Sequence, residues 1–488
     1  MTKRFYMKRI YLAACLLLMA GCSKELTENP RGLVGGAAAL SSQAGLESAL
    51  TGAYGSLLVP WTSGFTSVSQ IAMTMGGDDL TTHSGSNKEE FREFDLFNVS
   101  SLNSRITPIW LGCYKTIQSA TNIINNYEAV EDGTEKDIHT IVGEASFLRA
   151  LCYYWLTRLW GEVPIIPSEV YDPAYLTLKK SQPAEVYKLI EEDLKRAEEW
   201  LPDTKRDPGR SNKGAAKALL ADVYLTEAGW PLKDQSKYAL AAAKAKEVID
   251  NKAAYKFDLY QDGFLKIFAG GTVEDVFTLF TRGQWSTYNS FYGLSTMPEN
   301  EGGWSDFFPE LKFFNNFPAG PRKDATFSTA FVVGGETITW QQTTTKHPYY
   351  KKFTIQQPGD KAVYMSNNPV IMIRYAHVLL IYAEAQARAA GTPNADAYAA
   401  VNAVRARAGL PDLAAGMSGP DFAAAVVQER AWEFAGEWNR WFDLVRLDQV
   451  AAANADKDPG DMKVTTPITQ DKYWMPIPGV DAIVNPNL

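Results

Sequence analysis

Apolar residues recur at three- and four-residue steps from Ile138 to Leu159. Ile138, Ile141, Val142, Ala145, Leu148, Cys152, Trp155, Leu156 and Leu159 make one continuous face. That spacing predicts a helix, which Gly161 and Pro164 bring to an end. Two further segments share a plan: a small-residue helix, a marked turn, then a second alanine-rich helix. In the first, Gly214 to Leu225 leads through a turn at Gly229 to Pro231 into a helix from Tyr238 to Asp250. The second runs from Tyr375 to Ala390, turns at Gly391-Thr392-Pro393 and continues from Ala395 to Ala408. Between the helical blocks the period is lost. Residues 59–104 are rich in Ser, Thr, Gly and Asp, and residues 260–370 carry most of the Gly, Pro and loose aromatics. Long stretches of that kind in a compact protein are usually functional. Short strands are predicted inside the second, at Val276–Phe280 and Thr337–Trp340.

The two alanine-lined helix pairs resemble tetratricopeptide units, in which small residues let helices approach closely. Leu220, Ala221 and Tyr224 stand at the expected offsets. Ordinary helical hairpins explain the same composition, so both readings stay open on these segments alone. The expected fold is mainly α: a helical-repeat scaffold with a loop-rich, irregular half that carries a few short strands.

The N-terminus has a different pattern. Lys8 and Arg9 precede a short apolar run from Ile10 to Ala20, then Gly21 and Cys22. A basic head, an apolar stretch too short to span a bilayer and a small residue make a secretory signal. A cysteine directly after it resembles a bacterial lipobox, with Met19 where leucine is usual. Residues 1–21 are expected to be removed and Cys22 to take a diacylglycerol. Ser23-Lys24-Glu25 resembles the short charged tag of lipoproteins shown on the outer face of the outer membrane.

Composition narrows the function. With 46% hydrophobic residues the chain can bury a large core, and a net charge of −8 argues against nucleic acid, which demands a basic footprint. No later run approaches about twenty apolar residues, so only the lipid would hold the chain to a membrane. Of the four cysteines, Cys113 and Cys152 remain after Cys15 and Cys22 are accounted for. They are expected as two buried thiols, with a disulfide as the alternative.

Enzyme motifs are missing: no phosphate-cradling glycine loop, serine elbow, zinc-binding cysteine pairs or HExxH. His83, His139, His347 and His377 have no metal-ligand spacing. No cofactor or metal is expected. Paired carboxylates for sugar hydrolysis leave no local spacing, and Asp78-Asp79 in a glycine-rich loop is the one suggestive pair. Adjacent residues point apart, which favours a hydrogen-bonding loop over a catalytic dyad. From Gln428 to Arg446, Glu429 and Glu433 share one helix face, and Arg440, Asp443 and Arg446 another. Acids and arginines interleaved with Trp and Phe predict buried, mutually satisfied ion pairs that fix helix docking.

The chain as a whole resembles the SusD/RagB family of nutrient-binding lipoproteins. The marks stand in order after Cys22: EASFLRALCYYWLTRLWGEVP from Glu144 to Pro164, RSNKGAAKALLADVYL from Arg210 to Leu225 and PRKDATF from Pro321. IRYAHVLLIYAEA follows from Ile373, VNAVRARAGL from Val401 and QERAWEFAGEWNRWFDLVR from Gln428, and MPIP at Met475 and NPNL at Asn485–Leu488 close the chain. Gly436 and Trp438 stand where the family tends to have an aromatic and a glycine, and His377 replaces a usual glutamate. The resemblance implies a mostly helical fold with four tetratricopeptide-like units, in an N-terminal region 22–258 and a C-terminal region 259–488 forming one compact unit. It also implies an outer-membrane location facing the exterior and a lid on a SusC-like TonB-dependent transporter that captures oligosaccharide, or in some members peptide. Such proteins are not enzymes. The rival readings are a surface-anchored glycoside hydrolase and a peptide-binding, RagB-like lid.

A saccharide site needs exposed flat aromatics for the ring faces and polar side chains for the hydroxyl rims. Two segments offer both outside helices: Trp61 to His83, and Trp285 to Trp340. The expected ligand contacts are Trp61, Asp78, Asp79, His83, Trp285, Tyr288, Tyr292 and Trp304.

Overall fold

The computed structural model describes residues 39–62, 69–167, 173–280, 292–354 and 369–488. The expected signal and Cys22 lie outside them. The helices of eight residues or more are α1 (Gln43–Thr62), α2 (Ile106–Asn126), α3 (Glu135–Trp160), α4 (Pro183–Trp200) and α5 (Lys213–Glu227). After them come α6 (Lys237–Asp250), α7 (Tyr375–Ala390), α8 (Ala395–Arg407), α9 (Gly419–Glu433) and α10 (Asn439–Arg446). The strands are short and pair antiparallel two by two. β1 (Asp275–Leu279) pairs with β6 (Val370–Arg374), β2 (Phe327–Ser328) with β5 (Tyr349–Tyr350), and β3 (Ala330–Val333) with β4 (Glu336–Thr339).

Each of α1 to α6 packs on the next, α6 packs on α7, and α7 packs on both α8 and α9. Nearest-neighbour stacking of helix pairs is the repeat arrangement expected from the alanine-lined segments. Local chemistry sets the ends. Thr134, Asn212, Asn394 and Ser418 each accept a backbone N–H of the first turn, and Gly391 closes α7 in the left-handed region at φ 74. Close approach follows from small residues. Ala215, Ala218 and Ala221 on α5, and Ala241 and Ala245 on α6, are fully buried. Gly214 lies under Tyr255 and Phe257, where a Cβ would stand 2.6 Å from a ring carbon.

Two stretches depart from expectation. Residues 59–104 are not wholly loop: α1 extends to Thr62, and Glu89–Asp95 forms two helical turns that bury Phe91 and Phe94. Trp438, at a position the family tends to give to glycine, takes φ 54 as the cap of α10, while Gly436 at φ 75 lies against the Tyr350 ring. Cys113 and Cys152 are buried free thiols.

The charged segment on α9 and α10 is buried, as its interleaved acids and arginines predict. Glu433 accepts from Arg322 at 3.0 Å, Arg374 at 2.8 Å and Arg407 at 2.5 Å. Arg374 on β6 also reaches Glu274 at 2.5 Å and Glu437 at 2.8 Å, and Glu429 holds Arg322 and Arg405. On α10, Asp443 takes Arg430 at 2.9 Å and Arg446 at 2.8 Å. Strand, repeat helix and loop helix are therefore riveted together by charge. Such pairs, once desolvated, are costly to break singly.

Candidate functional site

The segment from Ser69 to His83 and the segment from Tyr292 to Phe308 meet through main-chain pairing. Thr81 and Phe308 exchange backbone hydrogen bonds of 2.9 and 3.1 Å. Thr82 donates its hydroxyl to the Asp306 carbonyl at 2.7 Å, and Lys88 donates to the Asp306 carboxylate at 2.5 Å. The other Asp306 oxygen accepts from Ser295 at 2.6 Å. Thr81 is held from behind by Asp95, which accepts its hydroxyl at 2.7 Å. Asp306 thus joins both segments at a buried point.

His83 and Glu299 come together above this weld. The Nδ1 of His83 accepts the Gly85 N–H at 2.9 Å, which leaves the proton on Nε2, 3.5 Å from Glu299 Oε1. Burial lowers the imidazole pKa, and Lys88 and Arg92 add to it against Glu299 and Asp306. The ring is accordingly neutral at neutral pH. Its Nε2 has no hydrogen-bond partner among the described residues. Glu299 and Asn300 are exposed, and Trp304 is half-buried five residues on. Asn300 Oδ1 accepts the Thr344 N–H at 3.1 Å, and Glu301 accepts the Val332 N–H at 2.9 Å, so the 299–304 turn is tied to the β3–β4 hairpin and the chain beyond it.

Of the expected contacts, His83 lies at this junction, and Trp304 lies on the segment that carries Glu299, five residues further along the chain. The backbone of Trp61 ends α1 and that of Tyr292 opens the short helix Tyr292–Ser295; their side chains lie outside the description. Trp285 and Tyr288 lie outside the described residues altogether. Trp340 packs edge-on against Phe314, with ring centroids 5.9 Å apart, and belongs to the scaffold of the hairpin.

The two aspartates are tied into the scaffold, and the expectation of Asp79 as a ligand contact is corrected by its burial. Asp78 is gripped by Arg440 through two bonds of 2.5 and 2.8 Å. Asp79 is 1% exposed and accepts the Gly436 N–H at 3.0 Å, while Tyr350 donates to its carbonyl at 2.5 Å. They hold the 76–82 loop onto α10 and the turn before it, with Asp79 buried and the Asp78 side chain 22% exposed. Glu299, Asn300, Lys88 and Asp306 escaped notice in the sequence because single polar residues in a loop carry no spacing.

Burial raises the Asp79 pKa to about 7, with Asp78 adding to it and the Gly436 N–H and Arg440 opposing. The folded state therefore binds a proton that the unfolded chain releases near its ordinary 3.8, so this group weakens stability as pH climbs from about 4 to 7. Asp79→Asn keeps the acceptor for Gly436 and removes the titration. The variant should gain more in melting temperature over the wild type at pH 8 than at pH 4; an equal difference at both would show that Asp79 does not titrate in this window.

Residues 332–488 match the model of the SusD family, and residues 38–225 match a model described as starch-binding associating with outer membrane. A SusD-like protein P2 of Formosa agariphila is 29% identical, over 98% of both chains. A SusD superfamily protein from Parabacteroides distasonis superposes with a TM-score of 0.79 at 24% identity, over 91% of this chain and 98% of that one. A laminarin-binding SusD-like protein superposes with a TM-score of 0.75 at 23% identity, again over 91% of this chain and 98% of that one.

Proposed function

The chain belongs to the SusD/RagB family, and from that premise we propose that it binds an oligosaccharide or polysaccharide nutrient at the outer membrane. We further propose that it passes the nutrient to a SusC-like TonB-dependent transporter. The observation that carries the reading is the weld at Asp306, where two loop segments join and His83 comes to Glu299, with Trp304 five residues on in the same segment. An indole offers an apolar surface to the sugar ring, and the imidazole, carboxylate and amide offer partners to its hydroxyls. Trp61, Trp285, Tyr288 and Tyr292 are proposed as further contacts on the same loops. The starch-binding description of the matched model and the laminarin binding of the similar structure support glycan as the ligand class. Binding without cleavage is supported by the aspartates: Asp78 is paired with Arg440 and Asp79 is buried, so this pair does not supply the two carboxylates of a hydrolase. Electrophoresis of the purified chain through native gels cast with laminarin or soluble starch tests the reading, with retardation by at least one polysaccharide expected.

Attachment through the Cys22 lipid is part of the proposal. Among the described residues no helix is long and apolar enough to cross a membrane. Cys22→Ala should leave a soluble or inner-membrane-retained precursor, read by protease shaving of intact cells. A variant still displayed on the outer surface would contradict the lipid anchor.

A further inference from the structure

A second concavity, formed entirely by described residues, lies where the C-terminal segment crosses the end of α3. It encloses about 390 Å³ and is lined by Trp160, Trp441 and Trp474, with Lys180, Asp471 and Lys472 among its polar residues. Small-molecule sites fall in the range of about 300–1,000 Å³ and combine aromatic walls with a few placed polar groups. This cleft has both.

Its walls are fixed. Trp160 donates its indole N–H to the Pro476 carbonyl at 2.9 Å, and Met475 N–H bonds the Leu159 carbonyl at 2.7 Å. Lys180 is set by the neighbouring Val163–Ser181 bridge, and Lys472 by a short turn whose Tyr473 hydroxyl donates to Asp448 at 2.9 Å. The half-buried Trp474 ring is backed by Gly161, whose Cβ would stand 2.5 Å from the fused ring bond, and by Trp230 with centroids 4.8 Å apart. Only glycine lets the chain pass that close, and Gly161 also needs φ 71. A ring held from behind at the edge of a cavity is a pre-organised platform.

The charges give the ligand a sign. Lys180 and Lys472 are half-buried and have no ion-pair or side-chain hydrogen-bond partner among the described residues. Lysines of similar burial on the repeat helices are matched: Lys244 with Glu198 at 2.9 Å and Lys237 with Glu227 at 3.2 Å. Asp471 is exposed, accepts the Thr469 hydroxyl and feels the charge of the neighbouring Lys472. Two lysines against one exposed aspartate leave the cleft net positive beside an indole, which suits a ring with an apolar face and an anionic substituent.

We propose that this cleft is a second saccharide subsite, separate from the His83–Glu299 junction, that takes a uronate ring. It presupposes that the chain binds glycans at all. The test titrates the whole mature chain calorimetrically with oligogalacturonate, oligoalginate and a malto-oligosaccharide of equal length. At least one uronate should bind. The double variant Lys180→Gln with Lys472→Gln should weaken that binding about tenfold and flatten its salt dependence, while melting temperature and any neutral-glycan binding stay unchanged. Trp474→Ala should weaken it as well. Because Trp474 also packs on Gly161 and Trp230, the lysine double variant decides if that protein misfolds. Uronate binding unaltered in the lysine variant, or absent from a wild type that binds polysaccharide or the neutral sugar, overturns the subsite alone. No binding to any glycan overturns the glycan reading with it.

Discussion

Glu433→Ala is expected to cost about 3–5 kcal/mol of folding stability. Its carboxylate accepts from Arg322, Arg374 and Arg407, whose side chains are 3%, 1% and 4% exposed. Burial alone would raise its pKa, but the charges of Arg407, Arg374 and Arg322, with Lys352 beyond, outweigh it and hold the carboxyl at about 2. Alanine removes one negative charge and leaves every cation in place. Arg322 keeps Glu429, Arg407 keeps Glu274, and Arg374 keeps Glu274 and Glu437, yet the cluster carries an excess positive charge that water cannot reach. The sign with pH follows. The unfolded carboxyl titrates near 4.5 and the folded one at about 2, so this stabilisation is complete above pH 4.5 and drains away as pH falls toward 2. Denaturant melts of wild type and variant should differ widely at pH 7 and converge in acid. A melting curve at pH 7 indistinguishable from the wild type would show the cluster to be energetically idle.

Trp304→Ala should lower saccharide affinity by roughly 2 kcal/mol, about thirtyfold, with little change in melting temperature. The indole is half-buried on a turn that Asn300 and Glu301 also hold through their bonds to the Thr344 and Val332 N–H groups. The half-buried indole is proposed to give its open part to the sugar ring, so its loss is expected to weaken binding more than folding. A buried aromatic behaves oppositely: Tyr350→Ala, 0% exposed between Gly436 and Phe327, should cost about 3–5 kcal/mol of stability. Melting temperature and affinity measured together on both variants separate the roles. Were Trp304→Ala destabilised and unweakened per folded molecule, the indole would be scaffold and the ligand would lie elsewhere on these loops.

The helices were legible where their signals are local. α3, α5, α6, α7 and α8 announce themselves through apolar period, alanine runs and Gly-Pro turns within about fifteen residues, and their observed bounds differ by a few residues at most. The helix Glu89–Asp95 was hidden because two turns give only Phe91 and Phe94 as a face, too little for a period. The site was less legible because its determinants are distant in sequence. Nothing near Asp78 in the sequence announces Arg440, 362 residues away, which grips it. Lys88 and Asp306, 218 residues apart, are unremarked loop residues until they join. The cleft beside Trp474 was invisible for the same reason, since Trp160 and Lys180 line it from the other side of the fold. Pairing across such separations is decided by packing of the whole scaffold, and no spacing records it.

Capture of a glycan without its cleavage is most directly tested by calorimetric titration of the purified wild-type chain with a polysaccharide panel that includes starch and laminarin, followed by analysis of the recovered sugar after long incubation. The account predicts saturable binding to at least one glycan, with a dissociation constant of roughly micromolar to millimolar, and recovery of that glycan at its original length. No binding across the panel, or new reducing ends appearing with concentrated protein, would contradict it.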